Sequence, residues 1–111
     1  MKHGDVYRFN LDPTVGSAIR KTRLCVVVQR LHTDKSPVLV VCPLADANSR
    51  PGNLLNPAVS AGIAGTTKDS RVAVHQIRTV DKGRIMGERC GELPPQIMAE
   101  VSRGLKALLD L

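Results

Sequence analysis

One stretch, residues 10–29 (NLDPTVGSAIRKTRLCVVVQ), constrains the chain more than any other. It joins a turn at Asp12, Pro13 and Thr14 to a basic segment, residues 16–23, and then to an unbroken apolar strand, residues 24–28. Pro13 fixes its own φ and Gly16 tolerates positive φ, so the chain can leave one strand, make a wide loop and enter another. Arg20, Lys21 and Arg23 fall within four residues, and Arg23 is the last residue before the apolar run. A guanidinium on the lip of a rigid strand loses little freedom when it grips a phosphate. The competing reading of this segment is a solvated basic turn.

The rest of the pattern supplies a core around that stretch. Residues 4–11 alternate, with Tyr7, Phe9 and Leu11 on one side and Arg8 and Asn10 on the other, as in a half-buried strand. Residues 24–29 and 38–44 are continuous, short and β-branched, which predicts central strands buried on both faces, joined by a polar connection over 33–37. Residues 46–68 dissolve into Gly, Pro, Ala, Ser and Asn, a functional or mobile loop with at most a short strand near Leu54 and Leu55 and disorder expected over 48–52. Alternation resumes over 71–77, setting Val72 and Val74 against Arg71, Ala73, His75 and Ile77, and a weaker strand is expected over 84–93. After Pro94 and Pro95, which suit a helix start, Ile97, Val101, Leu105 and Leu108 recur at helical spacing. Gly104 inside that helix costs about 1 kcal/mol relative to Ala, so tertiary packing must hold it. Five or six short strands with one terminal helix predict a mainly β fold, a small and strongly bent barrel in one domain over residues 1–111.

Composition narrows the function. Sixteen Lys and Arg against ten Asp and Glu give a formal charge of +6, which favours a polyanionic partner. Tyr7 and Phe9 are the only aromatics, too few for a proline-peptide groove or for a base-stacking sheet. No apolar run reaches the roughly 18 residues of a membrane span, and no leader pattern opens the chain, so a cytoplasmic location is expected. Cys25, Cys42 and Cys90 lack close spacing and suit reduced thiols. Neither they nor His3, His32 and His75 form a metal-binding pattern, and no phosphate-binding glycine loop occurs, so no cofactor is expected and any hydrolytic chemistry should be metal-free.

The stretch resembles the MazF/PemK family of toxin endoribonucleases, whose members read close to LDPT-x-GSE-x-x-KTRP before a valine-rich strand. The similarity extends to Gly4, Asp5, Val6 and Tyr7, to Ser36, Pro37 and the strand ending at Leu44, and to Asp69, Ser70 and the run from His75 to Lys82. The resemblance implies an SH3-like barrel (CcdB/PemK-like) with a C-terminal helix, a homodimer with its groove along the dimer face, and neutralisation by an antitoxin with an acidic, disordered tail. It also implies sequence-selective, metal-independent cleavage of single-stranded RNA, in which the 2′-hydroxyl attacks the adjacent phosphate and leaves a 2′,3′-cyclic phosphate.

Such a reaction needs a base, a fixed cation for the phosphorane charge and a proton donor. His75 suits the first role and Arg23 the second, with Arg23 or a water as the donor. Ser17, Arg20, Lys21, Gln76 and Arg78 are the expected RNA-binding residues. Three positions depart from the family pattern: Ala18 replaces a Glu, Leu24 a Pro, and Ala45 a Thr whose hydroxyl is tied to catalysis. The second reading is therefore an attenuated or inactive relative that binds RNA or antitoxin without efficient cleavage. A gyrase-poisoning toxin of the CcdB type is the third and weakest, because such proteins act through a C-terminal end that includes Trp, and this chain has none.

Overall fold

In the computed structural model, which describes residues 1–12, 16 and 21–111, the first alternating segment is strand β1 (Asp5–Asn10). Tyr7, Phe9 and Leu11 are buried together, while Arg8 and Asn10 are exposed, as the alternation predicts. Strand β2 (Thr22–Val27) runs antiparallel to β1, with Val6 opposite Val26 and Phe9 opposite Arg23. On its other edge β2 pairs antiparallel with β3 (Val38–Asp46), Val26 meeting Cys42.

Because side chains alternate, these central strands feed two cores. Val6, Val26, Cys42 and Leu44 pack on one face, under the helix; Tyr7, Phe9, Cys25, Val27, Leu39 and Val41 fill the other. The unbroken apolar runs read from the sequence thus mark strands covered on both sides.

The far edge of β3 carries two partners, β5 (Ser70–Val72) beside its end and β6 (Arg78–Asp81) beside its start. The short strand β4 (Ala58–Val59) extends the sheet beyond β5, and β7 (Gly91–Glu92) closes on β1. The result is a mainly β, half-barrel sheet of order β4-β5-β3-β2-β1-β7, with β6 also on β3 and a C-terminal helix α1 (Pro95–Leu109).

Four expectations require correction. Residues 71–77 are not one strand: β5 ends at Val72, Val74–Gln76 forms a 3-10 turn, and pairing resumes at Arg78. From Leu44↔Val72 to Val41↔Arg78, β3 advances three residues while its partner advances six. The bulge lies opposite Pro43, whose carbonyl accepts the Ala73 N–H at 2.8 Å but which has no N–H to return, so the ladder is already broken there. Val72, Ala73 and Val74 are consequently all buried in succession, against strict alternation.

Over 84–93 only Gly91–Glu92 is strand; the segment otherwise holds to β1 through the Phe9↔Ile85 bridge and single backbone bonds to Arg8 and Val6. Of the segment 48–52 expected to be disordered, residues 48 and 49 belong to a 3-10 turn, Ala47–Ser49, with the Asp46 carboxylate accepting the Asn48 N–H at 2.9 Å. The strand expected near Leu54 and Leu55 is displaced to Ala58–Val59.

The helix buries Met98, Val101 and Gly104, while Leu108 stays 38% exposed in the last turn. Gly104 is there for space: a Cβ would stand 2.8 Å from the Leu54 carbonyl oxygen and 3.4 Å from a Val74 methyl. The helix therefore presses on the loop before β4 and on the 3-10 turn that holds His75.

Candidate active site

Arg23 lies near the start of β2, exposed, while its cross-strand partner Phe9 is fully buried. The β2/β3 register that pairs Cys25 with Pro43 sets Ala45 opposite Arg23 when carried two residues further. Both residues line an open cavity of about 670 Å³. Its sheet-side wall includes Arg8, Thr22, Leu24 and Leu44; the opposite wall comes from the loops carrying Arg50 and residues 65–68.

The lining is strongly cationic. Arg8, Arg23, Arg50 and Lys68 face a single carboxylate, Asp46, which is already engaged in capping the 3-10 turn. Among the described residues the side chains of Arg8, Arg23 and Lys68 make no hydrogen bond or ion pair. Cations without such partners among the described residues, set around an open hollow, attract an anion and meet a phosphate without first giving up one of those bonds.

Arg78 does not line the cavity; it opens β6, opposite Val41 of β3. Burial pushes the Cys25 thiol up to about 12, against the pull of the Arg78 and Arg23 guanidiniums. Cys42 is likewise pushed up to about 12 by burial, with Arg78 pulling down. Arg78 is oriented by Gln76, donating Nη2–H to Gln76 Oε1 at 2.9 Å and Nε–H to the Gln76 carbonyl at 3.2 Å.

His75 sits at the 3-10 turn, exposed, and does not itself line the cavity. It reaches the cavity through Arg50, whose Nη1 lies 3.2 Å from His75 Nε2. Lys21 adopts positive φ, with its backbone N–H bonded to Asp12 Oδ1 at 2.9 Å and its carbonyl accepting the Leu11 N–H at 2.8 Å. Its exposed side chain borders the end of β1. Ser17, Arg20 and Ala18 lie outside the described residues.

The structure thus brings Arg23 and Ala45 together at the cavity and joins His75 to it by one intermediary, while Gln76 and Arg78 stand outside its lining. Sequence reading missed Arg8, Arg50 and Lys68. Arg8 carried a signal, since its outward position in β1 and the antiparallel β1/β2 pairing place it opposite Leu24, beside Arg23. Arg50 and Lys68 are brought in by loops without periodicity. Among the described residues no three His, Cys, Asp or Glu side chains converge as a metal site would require.

Comparison with known proteins agrees with this architecture. The family of PemK-like, MazF-like toxins of type II toxin-antitoxin systems matches residues 2–109. Endoribonuclease MazF6 of Mycobacterium tuberculosis is 32% identical, the match covering 100% of this chain and 98% of that protein. Endoribonuclease EndoA of Bacillus subtilis is 30% identical over 100% of this chain and 96% of its own length. Among solved structures, MazF from Deinococcus radiodurans superposes with a TM-score of 0.85 at 20% identity, covering 100% of this chain and 97% of that one. A mycobacterial endoribonuclease in complex with its cognate antitoxin gives 0.79 at 20% identity, covering 100% and 96%. A mainly β half-barrel with a C-terminal helix is the shared frame, and the chain belongs to the PemK-like, MazF-like toxin family.

Proposed function

We propose that this protein is the toxin of a type II toxin-antitoxin pair and acts as a metal-independent endoribonuclease on single-stranded RNA. The observation that carries the reading is Arg23: an exposed guanidinium without a partner among the described residues, on a strand whose following residues are core, beside a cationic cavity. A scissile phosphate held there gains a fixed positive charge as the attacking 2′-oxygen adds to phosphorus. His75 serves as the base that takes the 2′-hydroxyl proton, and water protonates the leaving 5′-oxygen. Ser17, Arg20, Lys21, Gln76 and Arg78 take the RNA-binding roles in this reading, and Arg8 and Lys68 extend the cationic lining.

Two further assignments belong to this reading: a homodimer in the cytoplasm, and a cognate antitoxin whose acidic segment competes with RNA for the cationic end. Incubation of purified protein with a long RNA in EDTA tests the activity. Defined cuts bearing 2′,3′-cyclic phosphate ends are expected, and intact RNA at high enzyme concentration would reject it.

Ala45 favours one second reading, an attenuated enzyme. A methyl opposite Arg23 can neither donate nor accept a hydrogen bond, and the loss of one transition-state donor costs about 10²- to 10³-fold in rate.

A further inference from the structure

Arg50 and His75 come from segments far apart in sequence and meet at 3.2 Å through Nη1 and Nε2. A guanidinium has only donors, so Nε2 must be the acceptor. The ring is then neutral, and its single proton sits on Nδ1. In this state the one lone pair that could remove a proton from a 2′-hydroxyl is held by a cation.

We propose that Arg50 is a positioning residue that masks His75 until a phosphate arrives, and that its transfer to the phosphate releases the base. This rests on the endoribonuclease reading above. Arg50 lines the cavity that Arg23 and Arg8 also line, whereas His75 does not. A phosphodiester carries a full negative charge and a neutral imidazole carries none, so the guanidinium forms the stronger, charge-assisted bond with the phosphate. Arg50 has to leave only one contact, since among the described residues its side chain bonds to His75 alone. The turn preceding it is anchored by the Asp46 cap, which fixes the base of the loop while the side chain exchanges partners.

The exchange leaves Nε2 bare, with the tautomer already correct. The 2′-O–H bond then breaks with its proton passing to Nε2, the O2′–P bond forms, and the P–O5′ bond breaks with water supplying a proton to O5′. The imidazolium afterwards returns its proton to solvent. Arg50, now on the phosphate, no longer opposes the charge that develops on the ring.

The state of the ring can be read without activity. In ¹⁵N-histidine-labelled protein, with His75 assigned by loss of its signals in His75→Gln, the free protein should show His75 protonated at Nδ1 and bare at Nε2. Arg50→Ala should shift the ring toward the Nε2–H form. A mixed-sequence DNA hexamer, which offers phosphodiesters without 2′-hydroxyls, should move the His75 nitrogen signals in the parent and leave them in place in Arg50→Ala.

In cleavage assays Arg50→Ala should raise KM about tenfold, the loss of one charge-assisted phosphate contact, with kcat within about threefold of the parent. An Nε2–H ring in the free parent, or His75 signals unmoved by the hexamer, would overturn the exchange. So would a kcat lowered as far as in His75→Gln. If the parent cleaves no RNA, the endoribonuclease reading fails while the nitrogen signals still decide the exchange.

Discussion

Phe9 and Arg23 are direct partners across β1 and β2, yet Phe9 is completely buried and Arg23 is exposed. Partners in an antiparallel pair share a face, so the core of the half-barrel ends between these two side chains. Phe9 closes the apolar interior and Arg23 begins the cationic rim.

The pair separates stability from activity. Arg23→Ala should change unfolding free energy by no more than about 0.5 kcal/mol, as expected for an exposed side chain with no hydrogen bond or ion pair among the described residues. It should abolish cleavage. Phe9→Ala should cost about 3–5 kcal/mol, the usual penalty for emptying an aromatic core site. Urea unfolding and single-turnover cleavage of the same preparations check both. An Arg23→Ala variant that cleaves at the parent rate would reduce Arg23 to a surface charge.

RNA affinity should depend steeply on salt, because each phosphate contact releases bound counterion. For single strands log Kd rises with log salt at a slope of about 0.7 per phosphate contacted, and Arg23→Ala should lower the slope by about one contact. Titrations of a fluorescent RNA between low and physiological salt give both slopes, and a flat dependence would remove the RNA from this rim.

Ala45 lies where the β2/β3 register brings it across from Arg23, and Ala45→Thr should restore a hydroxyl within reach of a phosphate held there. Tighter positioning of the reacting groups is worth about 10²-fold in rate. The added methyl and hydroxyl fall at a half-buried strand end, so stability should barely change. Single-turnover rates of parent and variant on one RNA decide it, and an unchanged rate would assign phosphate positioning to other groups.

Most of the frame was legible in the sequence because its physical causes are local. Continuous β-branched runs at β2 and β3 require cover on both faces, and the structure supplies two cores. The failures fall where one residue answers to a distant one. Val74 reads as the next alternating position after Val72, but the ladder it would join has Pro43 opposite, and the chain bulges into a 3-10 turn. That bulge removed His75 from the strand on which alternation had placed it. Arg50 escaped notice for a similar reason: nothing near it in the chain indicates His75, and only the folding back of its loop joins them. The sequence singled out Arg23, which lines the cavity, whereas the cations opposite it depend on loop paths that local pattern does not encode.

The two strand cysteines predict an alkaline weakness. Burial raises Cys25 and Cys42 from an ordinary value of 9.0 to about 12, so the native state keeps both protons where the unfolded chain releases them. Their contribution to stability is intact below pH 9 and drains away as pH rises from 9 towards 12. Urea midpoints should therefore fall as pH rises above 9.0 more steeply in the parent than in a Cys25→Ala, Cys42→Ala variant. Equal slopes would mean the thiols ionise alike in both states.

Gly104 tests how closely the helix is seated. Helix propensity alone says that Gly104→Ala should stabilise the protein by about 1 kcal/mol. The packing says the opposite. The new Cβ would stand 2.8 Å from the Leu54 carbonyl oxygen, a backbone atom that cannot rotate away, and 3.4 Å from Val74. Relief requires the helix to lift or the loop before β4 to shift, and overpacking of this kind costs about 1–3 kcal/mol. The net effect should be destabilising, while Arg103→Ala on the exposed side of the same helix should be close to neutral. Because Val74 adjoins His75 in the 3-10 turn, Gly104→Ala should also disturb the His75 nitrogen signals, which Arg103→Ala leaves alone. Urea unfolding and the labelled-histidine spectra measure the two consequences on the same samples. A stabilised Gly104→Ala variant with unchanged His75 signals would show that the helix stands further from Leu54 than this packing requires.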